Sequence, residues 1–266
     1  MREESKKFFR SKEEISLYIE EYLIPFLDWS VKKKGFRGVV LELKGDLDSS
    51  VVAALAVRTF GNYWVKGVYM PCQNDMYTPY SQDQQNKKEN VEALAEWLDI
   101  DIINDDLTTP FTVLLHRINV AIGTRTGMPG EISDSAKENL KSRLKMSTLY
   151  CVKDNLDLLT FGSINKTHKN LGLFTDRADD AMDLSFLDGF FETEVFIMAD
   201  ILGINKNVPI IINRSQKDFN IPEFGDCVKI SYEDIDIRLT DLILGGKREK
   251  DKLDKILISR IENKKI

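Results

Sequence analysis

The residues best suited to chemistry follow an apolar run: Val39–Leu43 leads into Lys44-Gly45-Asp46-Leu47-Asp48-Ser49-Ser50, then into a Val- and Ala-rich stretch. A glycine-containing turn between a strand and a helix N-terminus offers unpaired N–H groups and a favourable dipole to an anion. Gly45 permits close backbone approach, Ser49 and Ser50 can donate to phosphate oxygens, and Asp48 can hold Mg²⁺. Lys44 and Asp46 bring charge to a turn that phosphate usually meets as small, neutral residues. The plain alternative is a strand-to-helix turn with Asp48 as its N-cap.

Such a turn needs a frame, and the remaining pattern supplies one. Ser11 and Glu14 make a capping box, and Ile15, Tyr18, Ile19, Tyr22 and Leu23 recur at helical spacing. This predicts an N-terminal helix over about 11–34, closed by Gly35. Strands are expected at 37–43, 64–70, 99–104 and 156–161. Helices are expected from Asp48 to Phe60, Ser81 to Trp97, 109–122, Ser135 to Lys153 and 193–202, with a C-terminal helix over about 249–262. GTRTGMPGE (123–131) reads as a glycine-rich loop. Strands alternating with helices imply an α/β fold, a doubly wound parallel sheet flanked by helices, as a single domain over 1–266. Ligands of such sheets sit at the carboxyl ends of the strands, which selects the loops 44–50 and 162–183.

Composition narrows the function classes. The chain has 266 residues, a net charge of −6 and 42% apolar residues, so a nucleic-acid or membrane-surface partner is not expected. No apolar run approaches the ~18 residues of a membrane span. Two histidines, His116 and His168, exclude a multi-histidine metal centre. Cys72, Cys151 and Cys227 are scattered without CxxC spacing and read as reduced thiols of a cytoplasmic protein.

Three co-linear segments carry a family resemblance. KGDLDSSVVAALAVR resembles the SGGxDS loop and helix of PP-loop ATP pyrophosphatases. ENLKSRLKMSTLY (138–150) and GSINKTHKNLGLFTDRADDAMDLSFLDGFFETEV (162–195) are similar, in order and spacing, to segments of ammonia-dependent NAD synthetases. The resemblance implies ATP-dependent adenylation of the nicotinate carboxylate of deamido-NAD, release of pyrophosphate, and attack of ammonia to give the amide. It implies ATP and Mg²⁺ as cofactors and a homodimer with the dinucleotide near the subunit interface. Carried over by position, Lys44, Gly45, Asp48, Ser49, Ser50 and Ser163 fall on ATP-binding positions, and Asp48 on the metal ligand. Asn139, Arg143 and Asp179 fall on substrate-binding positions, and Asn165-Lys166 on the family's NK pair. No catalytic acid, base or nucleophile is singled out.

Other positions depart from the pattern. Lys44 replaces the loop serine, Asp46 the second loop glycine, His168 the metal-ligating glutamate and Glu192 an ATP-contacting lysine. Asp176, Arg177, Ala178 and Asp180 replace Lys, Tyr, Gly and Gly around Asp179. With His168 neutral, these exchanges lower the charge of the nucleotide region by three. Asp46 also stands where a glycine would supply positive φ. Three functions are compatible with this set: an NAD synthetase or close amide ligase, a ligase for another carboxylate, and a catalytically silent homologue acting as a binding or regulatory protein.

Overall fold

The computed structural model describes residues 9–126, 132–208, 211, 218–221, 228–243 and 252–263. Strands β1 (Val39–Glu42), β2 (Val65–Tyr69), β3 (Asp101–Asn104) and β4 (Leu159–Phe161) form a sheet in the order β3-β2-β1-β4, parallel at every pairing. The chain steps outward from β1 to β2 and β3, then returns to the other side of β1 as β4. The crevice of a doubly wound sheet opens at such a reversal, because the two connections leave in opposite directions. The turns after β1 and β4 are therefore neighbours.

Helices cover both faces. Helix α1 runs as Lys12–Tyr18, a wider π turn at Ile19–Leu23, and Ile24–Lys33. Pro25, which has no N–H to donate, is the second residue after the wide turn. Ile15, Ile19, Leu23, Leu27 and Val31 form its buried stripe, while Tyr18 and Tyr22 face outward. Helix α2 (Leu47–Phe60) is buried at every position from Leu47 to Ala56: the apolar run Val51–Ala56 goes into the core, and Asp48, Ser49 and Ser50 are buried polar residues of its first turn. It packs with α1, with the Val39 and Leu41 face of β1, and with α7 (Glu192–Leu202). On the opposite face Val40 and Val68 pack with Leu149 and Leu158. Each fully buried leucine of these clusters contributes about 2 kcal/mol.

Further helices are α3 (Gln82–Leu98), α4 (Thr108–Thr126), α5 (Asp134–Leu156), α6 (Lys166–Leu171), α8 (Tyr232–Ile243) and α9 (Lys252–Asn263), with a short turn of helix at Ile204–Asn207. Both capping boxes expected from sequence form, at Ser11 and Ser81. Helix α5 is capped by Ser133 rather than Ser135 and continues to Leu156, so β4 is shorter than the apolar run suggested. Asp157, at φ 54, makes the left-handed exit. Helix α4 takes in Gly123–Thr126 of the expected loop, and 127–131 lie outside the described residues. Helix α9 begins at Lys252, with Leu253 and Leu257 buried against Ile235 and Leu239 of α8. A second, two-stranded antiparallel sheet joins β5 (Asp218–Ile221) to β6 (Val228–Ser231), which the sequence pattern did not announce. Among the described residues no helix is long and apolar enough to cross a membrane.

Candidate functional site

The turn after β1 is built around Gly45. Its φ is +72°, and a Cβ there would lie 2.4 Å from the Lys87 carbonyl oxygen on α3, so glycine is required twice over. Asp46 has φ −107° and needs no such freedom, which corrects the expectation of a strained second glycine position. Asp46, not Asp48, is the N-cap of α2. Its Oδ1 accepts from the Ser49 N–H at 2.9 Å and from Ser49 Oγ at 2.6 Å. Its carbonyl oxygen accepts from Ser50 Oγ at 2.5 Å and from the Ser50 N–H at 3.3 Å. The Ser49 N–H and the Ser49 and Ser50 hydroxyls are thus engaged by the loop's own residue.

The turn after β4 contributes the second part. Ser163 lies half-buried in it, two positions before Asn165, the N-cap of α6. Asn165 Oδ1 accepts from the His168 N–H at 2.8 Å, which directs its NH₂ group inward. That NH₂ donates to Asp48 Oδ1 at 3.0 Å and to Glu192 Oε2. The His168 ring lies between the same carboxylates, Nδ1 3.2 Å from Asp48 and Nε2 3.6 Å from Glu192. Burial alone would lower the imidazole pKa, but Asp48, Glu192 and Asp46 together raise it to about 9. Burial raises the Glu192 carboxyl, and Asp48 adds to this, while His168 and Asn165 offset part of it. Behind the cluster, Asp236 accepts from Thr167 Oγ1 at 2.5 Å and the Thr193 N–H at 3.0 Å, and burial lifts it to about 6.

A third group lies across the crevice. Asn139 and Arg143 stand one turn apart on α5, and Arg143 Nη2 donates to the Asp176 carbonyl at 3.3 Å. Asp179 caps the Thr175 N–H at 2.8 Å and meets Lys44 Nζ at 3.4 Å. Burial would lower the Lys44 ammonium, but Glu42, Asp179, Asp46 and Asp48 outweigh it and raise its pKa. Lys44 therefore ties the first turn to the 172–184 segment. A cavity of about 570 Å³ opens over the loop, lined by Asp46, Asp48, Asp83, Lys87, His168 and Glu192 among others. Carboxylates outnumber cations along it.

Loop, crevice and segment order match a known group. The model of the NAD synthase family matches residues 19–266. This chain belongs to the NAD synthase family. An NH₃-dependent NAD⁺ synthetase of Methanosarcina mazei is 30% identical over 187 residues, 70% of this chain and 67% of the relative. One from Methanosarcina acetivorans is 29% identical over 230 residues, 86% and 83% of the two chains. The solved NH₃-dependent NAD synthetase of Campylobacter jejuni superposes with a TM-score of 0.73 at 19% identity, over 96% of this chain and 95% of that one. The NMN synthetase of Francisella tularensis gives 0.70 at 23%, over 96% and 94%. NAD synthase family members are ligases of NAD biosynthesis that use nucleotides, and the parallel α/β sheet expected from the sequence is their fold.

Within this family frame, Asp48, His168 and Glu192 each bring one ligand atom to within 4.8 Å of the others, a group that could hold a metal ion. A magnesium ion needs oxygen ligands in near-octahedral geometry at 2.0–2.1 Å. Here Asp48 and Glu192 supply oxygens, and Asp48 also faces the His168 ring and the Asn165 NH₂. The charge of the site also differs from a count with ordinary protonation, because Asp48 and Glu192 raise the His168 imidazole to about 9 while burial and Asp48 raise the Glu192 carboxyl to about 8. Lys166 of the NK pair points away, its Nζ 4.1 Å from the centre of the Phe191 ring. Sequence reasoning missed Asp46 as cap and Asn165 as the link between turns. The Asn-x-x-His spacing of an N-cap was the available signal for the second.

Proposed function

We propose that this NAD synthase family member is a binding protein for a pyridine dinucleotide of the deamido-NAD type, with its adenylating end closed by its own side chains. One observation carries the reading: the Asp46 carboxylate occupies the Ser49 N–H and hydroxyl, two of the donors the loop could offer a nucleotide phosphate. Asn139, Arg143 and Asp179, at the other end, supply amide, guanidinium and carboxylate groups suited to ribose, phosphate and the pyridine ring. Their use in this chain is supported by their motif positions and by the Arg143 and Asp179 contacts along one segment. Residues Lys44 and Asp179 join the two ends, so a ligand at one alters the cation at the other.

A second reading is an active amide ligase in which Lys44 leaves Asp179 to meet the triphosphate. It is favoured by the crowd of four carboxylates that holds the Lys44 ammonium charged between the loops. Calorimetric titration with deamido-NAD, and a pyrophosphate assay with ATP, Mg²⁺, ammonia and deamido-NAD, separate the two. Dinucleotide binding without pyrophosphate release is expected. Release of pyrophosphate and AMP above the protein-free rate would overturn the silent reading and establish the ligase.

A further inference from the structure

Lys44 brings a positive charge to the first turn where the resemblance has an uncharged serine. Its side chain is 31% exposed, and that of Asp179, opposite, is 23% exposed, so the pair is open to the crevice. Each carboxylate around the ammonium already has a nearer donor. Glu42 accepts from Lys145 Nζ at 2.9 Å, Asp46 from Ser49 at 2.6 and 2.9 Å, Asp48 from the Asn165 NH₂ at 3.0 Å and Asp179 from the Thr175 N–H at 2.8 Å. The Lys44–Asp179 contact is 3.4 Å, beyond the ~2.7–2.9 Å of a tight ammonium–carboxylate bond. An ammonium carries more donors than that one contact uses. Lys44 is therefore held in place with N–H groups left for an anion from a ligand. Arg143, the other cation at this end, donates to the Asp176 carbonyl on the same segment. A dinucleotide whose phosphates face Arg143 brings its ring substituent toward a second positive charge.

We propose that Lys44 is a specificity-determining residue that takes the ring carboxylate of a pyridine dinucleotide and so selects the acid over the amide. This rests on the dinucleotide-binding reading above and adds to it the atom that distinguishes the two ring substituents. Acid and amide forms share their riboses, phosphates and adenine and differ only at that substituent. The acid brings a full negative charge to Lys44 Nζ, whereas the amide brings a neutral oxygen or, turned over, a second donor. Without Lys44 the same carboxylate would face Asp179 alone, like charge against like.

The test is calorimetric titration of the full chain with deamido-NAD and with NAD, read as the ratio of the two dissociation constants. Both ligands carry the same phosphates, so general damage to the site cancels in the ratio. Wild type is expected to favour deamido-NAD by about tenfold, a step of about 1.4 kcal/mol. Lys44→Met is expected to remove the preference, and Lys44→Arg to keep it. Asp179→Asn is expected to widen it, because the ammonium loses a competing acceptor, and this variant carries the test if Lys44→Met does not fold. Equal affinity of wild type for both dinucleotides, a full preference kept in Lys44→Met, or a narrower ratio in Asp179→Asn would overturn the proposal and leave dinucleotide binding standing. Equal weakening of both ligands in Lys44→Met would make Lys44 a phosphate contact and overturn it as well. Binding of neither dinucleotide by wild type would remove the dinucleotide reading itself, and the proposal with it.

Discussion

Replacing Asp46 by glycine separates the closed loop from an open one. The carboxylate makes the 2.9 and 2.6 Å bonds to Ser49, and a bound phosphate would compete for the same donors. If the phosphate entered and the carboxylate swung aside to ~5 Å, their repulsion would be about 3 kcal/mol at an effective dielectric of ~20. Salt and the open cavity reduce this to about 2 kcal/mol, a factor of about thirty in affinity. The cost to folding is small, since exchanging an N-cap acid for glycine loses a few tenths of a kcal/mol and the added backbone freedom roughly 0.5–1 kcal/mol. We predict that Asp46→Gly remains folded and binds ATP about thirtyfold more tightly than wild type by calorimetry. Asp46→Asn keeps an acceptor for the Ser49 N–H and loses only the charge, so it should fall between the two. Equal dissociation constants for wild type and both variants would refute the view that Asp46 closes the loop.

Two further predictions probe the frame. Gly45→Ala places a methyl 2.4 Å from the Lys87 carbonyl at a φ of +72°, and a loss of more than about 2 kcal/mol in urea unfolding is expected; a loss below 0.5 kcal/mol would show that α3 yields freely. Asp236 is raised by burial from 3.8 to about 6, so the folded state holds its proton more tightly than the unfolded chain. Its contribution is present in full below pH 3.8 and is lost as pH rises through about 6. The stability of wild type relative to Asp236→Asn should accordingly fall by about 3 kcal/mol between acid and neutral pH, and a pH-independent difference between the two would contradict the burial of that carboxyl.

Much of the frame was legible in the sequence because it is local. Ser11 with Glu14 and Ser81 with Gln84 satisfy helix donors within one turn, whatever the rest of the chain does. The alternation of apolar strands with longer helical patterns forces parallel pairing and crossovers, and hence a crevice at β1. Gly45 could be read as the close-approach residue for the same reason. The edges were less legible: α5 ran past its expected end to Leu156, and Asp157, which takes the left-handed exit conformation, sits inside the stretch Leu156–Phe161 that alternation alone reads as one strand.

The state of the site was decided only by the fold. Asp46 looked like a charge aimed at a ligand, yet it turns back onto Ser49, because an unpaired helix N-terminus binds whichever acceptor is nearest. His168 looked neutral on its ordinary pKa. Its charge depends on Asp48 and Glu192, and its neighbour Asn165 meets Asp48 across 117 positions of sequence through the adjacency of β1 and β4. Residue types follow from the sequence, whereas the protonation and partners of a buried group follow from which other charges the sheet order brings within a few ångströms of it.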